Sequence, residues 1–119
     1  MRNKKKTPEA RRKQKLDKLF SLKVREVGVC QASDFRPMAN HSEVLQCAHR
    51  KSRRYLVIRW DFRNADCLCA GCHRYFHDHP DIHKKFVDYR DPGAWDYLNE
   101  KLQNEMKPNY EEIEGLLAS

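Results

Sequence analysis

Apolar residues recur at helical spacing over the first and last stretches of the chain, with a shorter alternating stretch between them. Leu16, Leu19, Phe20 and Val24 form one stripe of a helix spanning about 8 to 25, whose other faces are rich in lysine and arginine. Thr7-Pro8-Glu9 marks its start, with a capping hydroxyl, a proline at the first helical position and an acid in the first turn. Residues 1–6 read as a basic tail. Val27-Gly28-Val29-Cys30 fits a turn into a short strand, and residues 31–42, with Pro37, Asn40 and Ser42, read as loop. From Glu43 to His49 the chain alternates, with Val44, Gln46 and Ala48 on one side of a strand and Leu45, Cys47 and His49 on the other.

Arg50 to Arg54 is too charged for the centre of a sheet and is expected as a loop or irregular hairpin. Tyr55-Leu56-Val57-Ile58 reads as a strand or a buried loop. Trp60 to Asn64 leads to Cys69, where a helix should begin and run until just before Pro80. Asp78-His79 before Pro80, and Asp91 before Pro92, are two more helix starts. They predict a short helix at about 80–88 and a longer one at about 92–106, with Trp95, Leu98, Leu102 and Met106 as the inner stripe. A last helix near 108–118 carries Tyr110, Ile113 and Leu117. The elements predict an α+β domain in three stretches: basic tail and helix over 1–26, core over 27–80, and C-terminal helices over 81–119 packing on that core.

Composition changes this picture in one respect. A hydrophobic content of 39% and a mean hydropathy of −0.96 are low for a self-sufficient core of 119 residues, so a structural metal is expected as a staple. Five cysteines follow a polar N-terminus without an apolar leader, which points to a reducing cytoplasm and cysteines that bind metal rather than pair. No apolar run reaches membrane-spanning length. The formal charge of +7 suggests a polyanionic partner. Cations including Arg11, Arg12 and Lys13 crowd the N-terminus, and Arg50, Lys51, Arg53, Arg54 and Arg59 follow His49.

The candidate chemistry lies in Cys69-Ala-Gly-Cys72-His73-Arg-Tyr-Phe-His77. Cys69 and Cys72 have zinc-knuckle spacing but supply two ligands where a closed zinc site takes four. Cys30 is the best third ligand, and the fourth is His41 or Cys47. His41 is preferred because Cys47 shares the side of the strand with His49. Cys67 reads as a small core residue. His73 and His77, at i,i+4, project from one helix face roughly a quarter-turn from the thiols and can share a second cation. His79 and His83 read as surface residues. His49, at a strand end beside the basic loop, is a candidate general base. Asn64 can tie a loop down or orient that imidazole.

The series Leu45-Gln-Cys-Ala-His49, Ser52-Arg-Arg54, Arg59-Trp-Asp61, Asn64, Leu68-Cys-Ala-Gly-Cys-His73 and His77 resembles the phage-type HNH endonucleases, in particular the lambda NinG (Rap)-like recombination nucleases. The resemblance covers about 16–80 of the chain, a series of spacings far more specific than any single piece. It implies a ββα-metal core in which a hairpin and helix clasp one divalent cation. It also implies that His49 activates water, that Asn64 braces the loop, and that His73 and His77 hold a catalytic ion (Mg2+, Mn2+, Ni2+ or Zn2+), with the cysteines on a structural zinc. Two departures stand out. Ala48 occupies a position where many members carry a metal-binding acid or histidine, and Cys30 is not followed by the second cysteine of a C-x2-C. The expected activity is metal-dependent hydrolysis of DNA, duplex or branched, in recombination or processing; the compartment would be the cytoplasm of a bacterial host. A homodimer is one possible assembly. The competing readings are a catalytically silent, zinc-stapled DNA-binding module and, less supported, a zinc-bearing protein adaptor.

Overall fold

The Thr7 hydroxyl accepts a hydrogen bond from the Ala10 amide at 3.1 Å and opens α1, Pro8–Arg25. A cap of this kind is worth about 1 kcal/mol, and the remaining drive comes from the buried stripe of Leu16, Phe20 and Val24, with Leu19 packed beside it. This is the first element of the computed structural model, which describes residues 5–118. Of the expected basic tail, residues 1–4 lie outside the described residues; Lys6 donates to the Gln14 side chain at 2.6 Å.

Among the described residues the architecture is α+β, with six α-helices and one two-stranded antiparallel sheet. Strand β1 is Leu45–His49 and β2 is Ala65–Cys69, paired from Leu45 opposite Cys69 to His49 opposite Ala65. Between them lie α2, Leu56–Arg59, and a single 3-10 turn, Phe62–Asn64. Then come α3, Ala70–Asp78, α4, Pro80–Arg90, α5, Ala94–Asn104, and α6, Tyr110–Ala118. Among the described residues no helix is long and apolar enough to cross a membrane.

The alternation of β1 sorts the molecule into two cores. Ala48 and Leu68 pack with Phe76, Phe86, Val87 and Ala94 from α3, α4 and α5. On the other face, Cys67 and Ala65 join α1, Trp60 and Leu117 of α6, with Cys47 packed against them. Both cores draw on distant stretches of sequence, so the hairpin is the wall between two layers of helices.

Four expectations are corrected. The segment 27–30 is not a strand: Gly28 turns at φ +78°, and Gln31 then closes the edge of β2, its amide donating to Cys67 O at 2.8 Å and its side-chain oxygen accepting from Cys67 N at 2.9 Å. Residues 55–58 form neither a strand nor a plain loop but begin the one-turn helix α2. Helix α5 starts at Ala94 because Gly93 takes φ +86°, while the Asp91 carboxylate binds Arg63 and Arg50 instead of capping. Met106 lies beyond the end of α5 and is 94% exposed.

Candidate metal centre and the flanking histidines

Cys30, His41, Cys69 and Cys72 converge, with all four ligand atoms within 4.8 Å of one another. Each comes to the site for a different local reason. Cys69 ends β2 and is also the N-cap of α3, its sulfur accepting from the Cys72 amide at 3.4 Å. A thiolate is favoured at that position by the helix dipole and the free first-turn amides. Cys72 sits one turn on, facing inward. Cys30 arrives where Gln31 locks onto β2, and its carbonyl is held by Ser33 through both amide and hydroxyl. His41 returns from the turn-rich loop, with Nδ1 at 3.3 Å from Cys72 Sγ and 3.7 Å from Cys69 Sγ.

The second layer fixes this chemistry. His41 Nε2–H donates to Arg36 O at 2.8 Å, which leaves Nδ1 as the ligand atom. The Arg36 guanidinium donates to Cys72 Sγ at 3.2 Å and lies over the Tyr75 ring at 3.6 Å. Three thiolates around a zinc ion carry one excess negative charge, and Arg36 is placed to offset it. Burial opposes ionisation of Cys69, but the Cys72 amide and the His41 imidazole outweigh it and draw the thiol down to about 6. Burial, then Cys69 and Cys30, push Cys72 up to about 12. One thiolate discourages the next until a cation joins them. Three buried sulfurs and one half-buried imidazole fit a structural metal such as zinc. Cys47 is on the other face of β1, with burial pushing its thiol up to about 12, so the choice falls on His41.

His73 and His77 differ from this centre. His73 is half-buried, and its Nδ1–H donates to Gln46 Oε1 at 2.7 Å, leaving Nε2 available. Burial, followed by His77, lowers its pKa. His77 is 85% exposed. Among the described residues, the Cys30 group is the one set of three or more metal-type side chains placed to hold an ion, so no third protein ligand completes the histidine pair. Ala48 is buried in the core, and Asp66 opposite it is taken up by Arg50 and Arg90. The pair suits only a cation that keeps most of its shell as water.

His49 lies on the opposite face of β1, against Phe20 of α1 at 5.6 Å between ring centroids. Its Nε2–H donates to Arg59 O at 2.8 Å, which leaves the Nδ1 lone pair as the basic site. Burial lowers its pKa, so the imidazole is neutral at pH 7. Asn64 makes no bond to it. The Asn64 amide instead ties the loop: Oδ1 accepts from Lys51 N at 2.7 Å, and Nδ2 donates to Lys51 O and Ile58 O at 3.1 and 3.0 Å.

The cations expected on DNA are sorted by their surroundings. Arg50 is corrected outright: its side chain is 4% exposed, forked onto Asp66 at 2.7 and 2.8 Å and bonded to Asp91 at 2.7 Å. It holds the fold and presents no phosphate donor. Arg59 is bound by Asp17, which also accepts from Trp60 Nε1 at 2.9 Å and from Arg53 at 3.1 Å. Arg54 lies over Tyr55. On α1, Arg12 pairs with Glu114 and lies over Tyr110, Lys13 pairs with Glu9 at 3.5 Å, and Arg11 is exposed. His83 is a further correction: stacked on Phe76 at 5.2 Å, it is half-buried, with Nε2 unpartnered. Arg36, Gln46 and Asp17 carry no sequence signature, because what singles them out is a partner distant in the chain.

Comparison with known protein families, curated proteins and solved structures gives no match to this chain.

Proposed function

We propose that the chain is a metal-dependent DNA endonuclease of the HNH type, with a structural zinc at Cys30, His41, Cys69 and Cys72. The single observation that carries this reading is the state of His49: a neutral imidazole at the end of β1 whose Nε2 is committed to a backbone carbonyl. That arrangement fixes the tautomer and leaves Nδ1 to take a proton from water. The resemblance of the series His49, Asn64, His73 and His77 supplies the substrate class. His73, oriented by Gln46, offers Nε2 to a divalent cation, and exposed His77 offers a second nitrogen. A cation held there would offset charge on the phosphate and on the leaving oxygen. Arg53, Arg54 and Lys51 are the loop cations left to contact flanking phosphates. With no base-reading motif, the reading favours weak sequence preference or selection of DNA structure, including the branched substrates of recombination.

The silent zinc-stapled DNA-binding module is favoured by a different observation. His49 and His73 sit on opposite faces of β1, and among the described residues the histidine pair lacks a third ligand. Nicking of supercoiled plasmid with Mg2+, Mn2+ or Ni2+, against EDTA, decides between them. Cation-dependent nicking that disappears in His49→Ala supports the nuclease. Binding without nicking under every cation supports the module.

A further inference from the structure

Six arginines, Arg12, Arg50, Arg53, Arg59, Arg63 and Arg90, are neutralised from within by Glu114, Asp17, Asp66 and Asp91. Lys51 and Lys84 are different. They come from the loop after β1 and from α4, and they meet at one cavity of about 290 Å3, with Pro80, Trp95 and Asn99 completing the wall. Among the described residues no carboxylate lines it. The volume is at the low end for ligand sites and suits a chemical group rather than a whole cofactor.

Lys51 is held at both ends. Its backbone amide and carbonyl are both bonded by the buried Asn64 side chain, at 2.7 and 3.1 Å. Its ammonium lies 5.4 Å from the centre of the Trp95 ring, a cation–π seat. A surface lysine normally loses considerable side-chain freedom on binding; much of that loss has already been incurred here. Trp95 also keeps an indole N–H that is buried without an acceptor. Asn99 adds an amide able to donate. The wall carries two cations, a neutral amide and no carboxylate among the described residues, and the chemistry that matches is a phosphate.

We propose that this cavity is a phosphate subsite for the nucleic-acid backbone, with Lys51 and Lys84 on either side of the anion and Asn64 as the positioning residue behind Lys51. The proposal rests on the nucleic-acid reading above and extends the bound strand from the His49 loop across α4 and α5. It gives Asn64 a role in placing a cation rather than in orienting the base.

The test is the salt dependence of binding to a short DNA duplex. Lys84→Gln removes a charge from an exposed helix position without disturbing any partner. Each lost phosphate contact should flatten the log–log slope by about 0.9. Lys84→Gln and Lys51→Gln are each expected to do so, whereas Lys85→Gln, next to Lys84 but off the cavity wall, changes the slope by less than half as much. The emission of Trp95, isolated in Trp60→Phe, should shift when duplex is added and not at the same concentration of inorganic phosphate. Equal slopes for Lys84→Gln and Lys85→Gln, with wild-type binding intact, would overturn the subsite and leave the nuclease reading standing. No duplex binding by the wild type would remove both. A Trp95 response to inorganic phosphate without duplex binding would reassign the cavity to a free anion and overturn the polynucleotide occupant.

Discussion

Cys69 and Cys72, at the start of α3, meet Cys30 and His41 from elsewhere in the chain, whereas His73 and His77, on the same helix, meet no third metal-type side chain among the described residues. The difference lies in what anchors the incoming segments. Cys30 is delivered by the Gln31 bonds to β2 and His41 by its bond to Arg36 O, so three separate pieces of backbone are each held at the site by bonds of their own. The His73 pair has one anchored member, through Gln46, and one exposed to solvent. A closed donor set of this kind contributes folding free energy through its metal; an open pair binds a hydrated ion weakly and can exchange it.

The largest expected effect breaks the closed half of that comparison. Cys72→Ser should abolish stoichiometric zinc and cause a large loss of thermal stability, because binding energies of about 10–16 kcal/mol for structural zinc appear as folding energy. Metal analysis together with thermal denaturation checks this, and a well-folded, zinc-free wild type would refute it. His41→Ala should loosen zinc more than Cys47→Ala, since Cys47 is on the other side of β1. His73→Ala should leave zinc content unchanged and weaken only the divalent-ion binding that cleavage requires.

Next in size is the separation of base from fold. His49→Ala is expected to slow nicking about 10²–10⁴-fold, the usual contribution of a general base, with zinc content and DNA affinity retained. Undiminished nicking by purified His49→Ala would exclude that residue as the base.

How far the sequence carries the reader differs between these regions. Helix α1 was legible to the residue, because Thr7-Pro8 and the Leu16-Phe20-Val24 stripe are local signals. So was the start of α3 at the Cys69 knuckle. His41, in the loop, was preferred over Cys47 because strand alternation puts Cys47 on the side of His49. Strand β2 was obscured because Ala65–Cys69 is buried on both faces and has no alternation to read. Arg50 was misplaced for a related reason: a run of basic residues looks solvated until the carboxylates of Asp66 and Asp91, 16 and 41 residues away, are brought against it.

That misplacement yields a test of its own. Arg50→Ala leaves the Asp66 carboxylate 1% exposed and without its forked partner, and removing one member of a buried pair costs about 3–5 kcal/mol. Arg53→Ala with Arg54→Ala touches exposed side chains and should shift stability little while reducing DNA turnover. Denaturant midpoints measured beside nicking rates check the contrast. A stable Arg50→Ala protein with lost DNA affinity would return Arg50 to the binding surface.

The smallest effect is a pH limb. Burial is the largest influence on His49 and lowers its pKa from the ordinary 6.5, against the opposing effect of the Arg59 carbonyl. The active form is the neutral one, so a depressed pKa extends activity downward: nicking at saturating cation should hold through pH 6.5 and fall only below it. The sign for stability follows from the same shift. Below 6.5 the unfolded chain takes up a proton that the folded His49 resists, so its contribution is present above 6.5 and is lost as pH falls toward the folded value. Asp91, held down first by Arg63 and, against some burial, by Arg50, loses its contribution only at more acidic pH, below the ordinary carboxylate range. The two windows separate: an activity limb below 6.5 with the fold intact belongs to His49, whereas a limb that coincides with acid unfolding belongs to the carboxylates. An acid limb centred above 6.5 would mean that buried His49 is not the titrating base and that its face of β1 is not where water is activated.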